Sequence, residues 1–272
     1  MKRLSLFLGA FLTLVACSAE KSAQADQKVV APPKVAMQPN SAYQTPPYAR
    51  PSLQNPALSL PSNFSPKAGV TFSRVNGVDR YIAMTFDDGP HPQNTPRLLD
   101  ILRQRNIKAT FYVIGKNVKT YPEITRRIVA EGHEIGNHTW NHPNLTKLSP
   151  SKVRDELTTT RDVIIRTTGV QPRTMRPPYG ALLTSQRNTI HREFGYPTIL
   201  WDVDPLDWKR PGTAVVRSRI LNGTKGGSIV LAHDLHSTTI DAMPSTLDGL
   251  LAKGFQFVTV SQLLTMKQVA QP

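Results

Sequence analysis

The 272-residue sequence contains one cysteine, Cys17. A single thiol excludes an intramolecular disulfide framework and any cysteine-rich zinc site, so a metal in this chain must be held by histidine and carboxylate. Acidic residues are also scarce. Nineteen stand against 33 lysines and arginines, which gives a formal net charge of +14 and a pI near 10.1. Such a chain favours anionic partners, whether nucleic acid, anionic lipid or an acidic cell-wall matrix, and charge alone does not choose among them. No apolar run reaches the ~20 residues that span a bilayer, and a mean hydropathy of -0.30 argues against a polytopic membrane protein. Internal repeats are absent. What is present, 39% hydrophobic and 19% charged residues, suffices for a globular core and argues against disorder throughout.

The ends of the chain differ from its middle. Lys2 and Arg3 precede an almost wholly apolar stretch over residues 4–16, the layout of an export signal that is cleaved from the mature protein. Its end, Leu14-Val15-Ala16-Cys17, matches a bacterial lipoprotein processing site, which makes Cys17 the expected acylated first residue of a membrane-anchored envelope protein. The alternative is an ordinary secretory signal in which Cys17 is incidental. Nine of the 23 prolines then fall between Pro32 and Pro66, in a stretch rich in Ala, Ser and Gln with no periodicity. Such a composition buries too little apolar surface to offset its ordering entropy, so residues 17–68 are expected to be a disordered Pro-rich tether.

Over residues 69–272 apolar runs alternate with amphipathic stretches. The pattern predicts strands over 81–86, 109–114, 133–136, 174–176, 198–202, 228–232 and 256–259. Helices are predicted over 95–105, 121–131, 149–168, 185–194, 212–221, 240–253 and 260–267, with Pro122 near one start, Ser151 as an N-cap, and Gly132 and Gly169 as stops. Seven strands alternating with helices imply an α/β fold with a parallel sheet. The sheet is either closed into a barrel, incomplete or not, or open and doubly wound. In either case the C-terminal strand ends carry the site.

Five polar clusters sit at those ends. Thr85-Phe86-Asp87-Asp88-Gly89-Pro90 places two carboxylates together, a costly arrangement unless a cation or proton is shared. Taken alone, the hexapeptide equally fits a solvated turn. His138-Thr139-Trp140-Asn141-His142 brings two imidazoles to one metal if the segment makes a helical turn, and one Asp added to them makes a three-ligand site with an open position. Arg176-Pro177-Pro178-Tyr179-Gly180 offers a guanidinium to Asp87 or Asp88 and the backbone N–H of Tyr179 as a donor. Asp204-Pro205-Leu206-Asp207-Trp208 sets Asp207 beside an indole, and Leu231-Ala232-His233-Asp234 leaves His233 at a strand exit. Singly each has a structural explanation: a surface ion pair for Arg176, core packing for Trp208, a satisfied strand-end imidazole for His233. Among the other histidines, His91 is expected near the site rim, His133 at a strand start and His191 exposed on a helix. His236 is left open.

Together these motifs resemble the polysaccharide deacetylases of the NodB-homology type, carbohydrate esterase family 4, over roughly residues 81–266. The first three motifs match in full, while Pro205 and Ala232 depart from the family's usual residues. The resemblance implies a distorted, incomplete (β/α) barrel of NodB type. It implies a divalent metal on Asp88, His138 and His142, Zn²⁺ in preference to Co²⁺ or Ni²⁺. Asp87 is then the general base, oriented by Arg176. Tyr179 supplies the oxyanion donor, and His233 is the general acid, tuned by Asp207. Trp208 and Leu231 wall the acetyl pocket. The implied reaction removes acetyl groups from N-acetylglucosamine units of an envelope or extracellular polysaccharide. Peptidoglycan is the first choice; poly-N-acetylglucosamine, chitooligosaccharide and acetylated xylan are alternatives, as is a small non-sugar amide. A non-catalytic carbohydrate-binding domain is the reading from another class, and it predicts the loss of a ligand, base or acid, all of which are present. A monomer with no nucleic-acid partner is expected, since the signal exports the chain and no basic motif is interleaved with aromatics.

Overall fold

The structure, a computed structural model, describes residues 71–269. The expected signal, Cys17 and the tether lie outside the described residues. Along the chain run β1 (Thr71–Phe72), β2 (Tyr81–Asp87), α1 (Asn94–Gln104), β3 (Thr110–Val113), α2 (Gly115–Thr120), α3 (Pro122–Ala130), β4 (Glu134–Asn137), α4 (Pro150–Thr168), α5 (Thr184–Phe194), β5 (Thr198–Ile199), α6 (Thr213–Gly223), β6 (Ile229–Val230), α7 (Ser237–Ala252), β7 (Gln256–Phe257) and α8 (Val260–Val269).

Strand β2 is the hub. Tyr81 and Ile82 pair with β7, Ala83 and Met84 with β6, and Thr85 to Asp87 with β3, all in parallel. Strand β3 pairs along its length with β4, and β1 pairs with β5. Single-residue bridges complete the ring: Met175 joins Asn137 to Thr198, and Val203 joins Val230. The circuit β2, β3, β4, Met175, β5, β6 and back to β2 is a parallel barrel, closed by isolated bridges instead of full ladders. It is the distorted (β/α) barrel, and the open doubly wound alternative is set aside.

Side chains alternate across each strand. From β2, Ile82, Met84 and Phe86 face outward into a cluster with Leu98, Leu99 and Leu102 of α1, and the 3–4 spacing of those leucines gives the helix one apolar stripe. Full burial of each leucine contributes roughly 1.5–3 kcal/mol. Ala83 faces inward and packs with Tyr112, Ile199 and Ile229 over Val260, Leu263 and Leu264 of α8. The floor of the barrel is polar. Buried Glu134 accepts hydrogen bonds from Thr110 Oγ1 (3.0 Å), Thr174 Oγ1 (3.3 Å), the Ser261 amide (2.9 Å) and Ser261 Oγ (2.7 Å). Gly136 is required here, because a Cβ at that position would lie 2.4 Å from the Tyr112 ring.

Several expectations are corrected. The strand expected over 174–176 contracts to the bridge at Met175, because Pro172, Pro177 and Pro178 cannot donate to a ladder. The strands expected over 198–202, 228–232 and 256–259 keep two ladder residues each. Helix α4 is capped by Ser149, which accepts from the Lys152 amide at 3.4 Å, with Pro150 in its first turn; Ser151 is not the cap. Its C-terminal stop is Gly169 at φ 74°. Strand β1 and helix α2 have no counterpart in the sequence reading, the first being two residues long and the second a Gly-Lys-Asn turn sequence.

Candidate active site

The alternation that buries the outer faces also builds the site. Odd-numbered residues of β2 point inward, so Thr85 and Asp87 enter the barrel. By the same parity Tyr112 follows from β3, His138 from β4, Arg176 from the Met175 bridge, and Leu231 and His233 from β6. Arg176 is wholly buried. Its Nη1 donates to Asp87 Oδ1 (2.7 Å) and Thr85 Oγ1 (2.6 Å), Nε to the Ile199 carbonyl (3.2 Å) and Nη2 to the Leu200 carbonyl (3.1 Å). The guanidinium lies 4.3 Å from the Tyr112 ring centroid and 5.6 Å from that of Trp201. An arginine so enclosed cannot move, and the surface ion-pair explanation for it does not hold.

Asp88 leaves the strand at φ 76°, which turns the second carboxylate away from the first. Its Oδ1 lies 3.3 Å from Nε2 of His138 and 3.3 Å from Nε2 of His142. Residues 138–142 are not helical, so a helical turn is not what brings the two imidazoles together. Left-handed backbone at Thr139 (φ 69°) and His142 (φ 59°) instead brings the rings within 4.9 Å. His138 Nδ1 meets the Arg176 carbonyl at 2.7 Å, which keeps Nε2 directed at Asp88. Three ligand atoms thus lie within 4.8 Å of one another. Asp88 Oδ1 is buried and has no hydrogen-bond partner, a cost that a divalent cation on this His₂Asp set would remove. The donors fit such an ion. Burial pushes the Asp88 carboxyl up, but the imidazoles of His138, His233 and His142 around it outweigh that and bring the pKa to about 2.

Across the mouth, His233 Nδ1 meets Asp207 Oδ1 at 2.8 Å, leaving Nε2 for the cavity. Asp207 Oδ2 accepts from the His233 amide (2.8 Å) and Thr239 Oγ1 (2.9 Å), and Oδ1 also accepts from the Trp208 amide (3.0 Å). Burial pulls the His233 pKa down, but the Asp207 hydrogen bond and charge, with Asp87 and Asp88 behind them, carry it to about 9. Between these groups opens a cavity of about 480 Å³, lined also by Tyr179, Trp208 and Leu231. Trp208 is half exposed, not core, and Tyr179, at φ 61°, stands edge-on to His142 with ring centroids 4.7 Å apart. Among the described residues, seven non-glycine residues have left-handed φ, and six of them lie in loops at this mouth. Concentrated backbone strain of this kind marks functional sites.

Sequence reasoning gave no role to Thr85 and Asp204, though both stand in its clusters, and missed Trp201; parity along β3 would have found Tyr112. His236, left open, lines the cavity. His91 does not line it, since its Nδ1 accepts from the Gln93 and Asn94 amides and so caps α1. His133 is buried ahead of β4, where burial first, then Lys108 and Arg127, lower its pKa to about 3. His191 is half-buried on α5, with Nδ1 3.3 Å from the Tyr196 carbonyl. A smaller cavity of about 90 Å³ between α4 and α5 is lined by Val153, Ile190 and Phe194.

A strand-end cluster of two histidines and an aspartate that could hold a metal ion, beside a carboxylate fixed by arginine and a histidine paired with Asp207, fits a barrel hydrolase. The family model for polysaccharide deacetylases matches residues 74–199. The chain is 39% identical over 207 residues to a chitooligosaccharide deacetylase of Bradyrhizobium, covering 71% of this chain and 94% of that one. It is 42% identical over 185 residues to a peptidoglycan-N-acetylglucosamine deacetylase of Listeria monocytogenes, covering 68% of this chain. The match spans about two fifths of the Listeria protein's length, 39%. The crystal structure of the Bc1960 peptidoglycan N-acetylglucosamine deacetylase superposes with a TM-score of 0.68 at 36% identity, over 71% of this chain and 91% of that one. The chain belongs to the polysaccharide deacetylase family.

Proposed function

We propose that residues 69–272 form a metal-dependent deacetylase that hydrolyses the acetamide of N-acetylglucosamine units in peptidoglycan. The observation that carries this reading is the division of labour between adjacent carboxylates: Asp87 is locked to Arg176, while Asp88 faces two imidazoles. A divalent cation held by Asp88, His138 and His142, zinc in preference to cobalt or nickel, would polarise the acetyl carbonyl and acidify the adjacent water. Asp87 takes the proton of the attacking water, its carboxylate oriented by Arg176. The Tyr179 N–H donates to the developing oxyanion, and losing one such donor typically costs about 10²–10³ in rate. His233 Nε2 gives its proton to the departing nitrogen as the carbon–nitrogen bond breaks, releasing acetate and a free amine. Asp207 keeps His233 charged for that step, and Trp208 and Leu231 enclose the methyl group.

Export, lipidation at Cys17 and the tether over 17–68 fit a monomer anchored within reach of the wall, and the peptidoglycan-directed relatives support that choice of polymer. The test is acetate release from peptidoglycan, poly-N-acetylglucosamine, chitooligosaccharides and acetylated xylan, with Zn²⁺, Co²⁺, Ni²⁺ or chelator. Release from peptidoglycan that chelator abolishes and Asp87→Asn removes is expected. Release in the presence of chelator, or undiminished in Asp87→Asn, refutes the proposed mechanism.

A further inference from the structure

The turn that carries Asp207 and Trp208 also carries two cations that the hydrolytic machinery does not use. Leu206 (φ 54°) and Arg210 (φ 53°) are both left-handed and bracket a single 3-10 turn, Asp207–Lys209. Bulky residues adopt this backbone only where the surrounding structure enforces it. The turn is tied down by the Lys209 amide on the Leu206 carbonyl (3.0 Å), the Arg210 amide on the Asp207 carbonyl (2.8 Å), and Arg219 Nη1 on the Pro205 carbonyl (2.9 Å). It presents two exposed cations at the rim of the cavity. Lys209 Nζ sits 4.9 Å from the centroid of the Trp208 ring, itself part of the cavity wall. Arg210 follows Lys209 at the end of the turn and is likewise exposed. Among the described residues neither cation forms an ion pair. Asp204, the rim carboxylate on the same loop, is engaged by the Leu206 amide at 2.7 Å.

The side of the cavity fixes what these cations meet. His233 protonates the departing nitrogen, so the sugar ring lies on the His233 side and the acetyl carbonyl faces Asp88, His138 and His142. The methyl group enters between Trp208 and Leu231, so the sugar that carries it stays outside them, at the rim where Lys209 and Arg210 stand. We propose that Lys209 and Arg210 recognise a carboxylate carried by the glycan, so that the site selects amino-sugar polymers with acidic side groups over neutral polymers of the same backbone. The stem-peptide carboxylates of peptidoglycan, and the lactyl carboxylate where the stem has been removed, are of this class. This inference rests on the deacetylase reading and adds the residues that set its substrate.

The test compares kcat/KM for acetate release from soluble, phosphate-free peptidoglycan chains with that from neutral chitotetraose. In the Lys209→Gln/Arg210→Gln variant the ratio of the two falls about threefold to tenfold through KM, the range for two exposed ion pairs, and falls further in Lys209→Glu/Arg210→Glu. Added salt lowers the wild-type ratio and leaves that of the neutralised variant nearly level. The control is Arg80→Gln/Lys225→Gln, which makes the same change of net charge at exposed positions just ahead of β2 and β6, at the opposite end of the barrel. An unchanged ratio in the rim variants, or an equal fall in the control, overturns the inference, as does wild-type turnover of chitotetraose without turnover of peptidoglycan. If neither glycan is turned over, the deacetylase reading itself fails. Co-sedimentation with peptidoglycan then decides the rim: weaker retention of the neutralised variant than of the control supports it, and equal retention refutes it.

Discussion

Asp207→Asn separates the two jobs of the His233–Asp207 pair, orientation and charge. The rise of the His233 pKa from 6.5 to about 9 corresponds to roughly 3 kcal/mol of preference for the charged ring. Burial alone would push the other way, and the first influences that reverse it are the hydrogen bond and charge of Asp207. Asparagine preserves the Oδ1 contact to Nδ1 but removes the charge. It also points an NH₂ at the His233 amide, a donor facing a donor, which costs about 1–3 kcal/mol of stability. A general acid works only while protonated, so its pKa sets the alkaline limb of the rate profile. If the ring returns to about 6.5, its protonated fraction at pH 8 drops from about 90% to about 3%, a loss of roughly thirtyfold, against less than twofold at pH 6. The assay is kcat/KM for acetate release by the metal-loaded enzyme over this range, for wild type and variant. A uniform loss at all pH values, with the alkaline limb unmoved, would refute the assignment of Asp207 as the residue that keeps the acid charged.

The same pair links stability to pH. Because folding raises the His233 pKa, its stabilisation is complete below about 6.5 and is lost as pH rises through about 9; denaturant titrations of metal-free protein should show this decline, flattened in Asp207→Asn. Asp88→Ala removes one of the three proposed ligands, and metal analysis after dialysis should find bound zinc lost while the barrel stays folded; full stoichiometry would contradict the ligand set. Gly136→Ala forces a methyl group to within 2.4 Å of the Tyr112 ring and should cost about 1–3 kcal/mol in denaturant unfolding, partly recovered by also shortening Tyr112 to Leu. Cys17→Ser should move the protein from the membrane fraction to the soluble envelope fraction on immunoblots, and continued retention would refute lipidation.

Much of the site was legible because it follows from one-dimensional regularities. A strand of period two with an odd inward face puts Asp87 inside, and the same parity delivers His233 two residues beyond Leu231. The motif order then locates the partners across the ring. What the sequence did not reveal is set by backbone geometry with little local signal. His138 and His142 meet through left-handed residues at Thr139 and His142, types that give no warning of positive φ. Trp201 looks like the end of a buried strand, yet it closes the seat of Arg176. The strand over 174–176 illustrates the converse: its apolar centre was visible, but its flanking prolines reduce it to one bridging residue. Helix α2 was hidden because Gly115 to Thr120 lacks an apolar stripe and forms by packing against its neighbours.

The polar floor of the barrel also ties together segments far apart in the sequence. Glu134 receives two of its four hydrogen bonds from Ser261, at the start of α8, and β7 just before it pairs with β2. With α8 undocked, the floor would hold a buried carboxylate with half its donors missing, a cost that unpaired buried polar groups carry. The catalytic mouth thus rests on contacts at the opposite end of the barrel from the site.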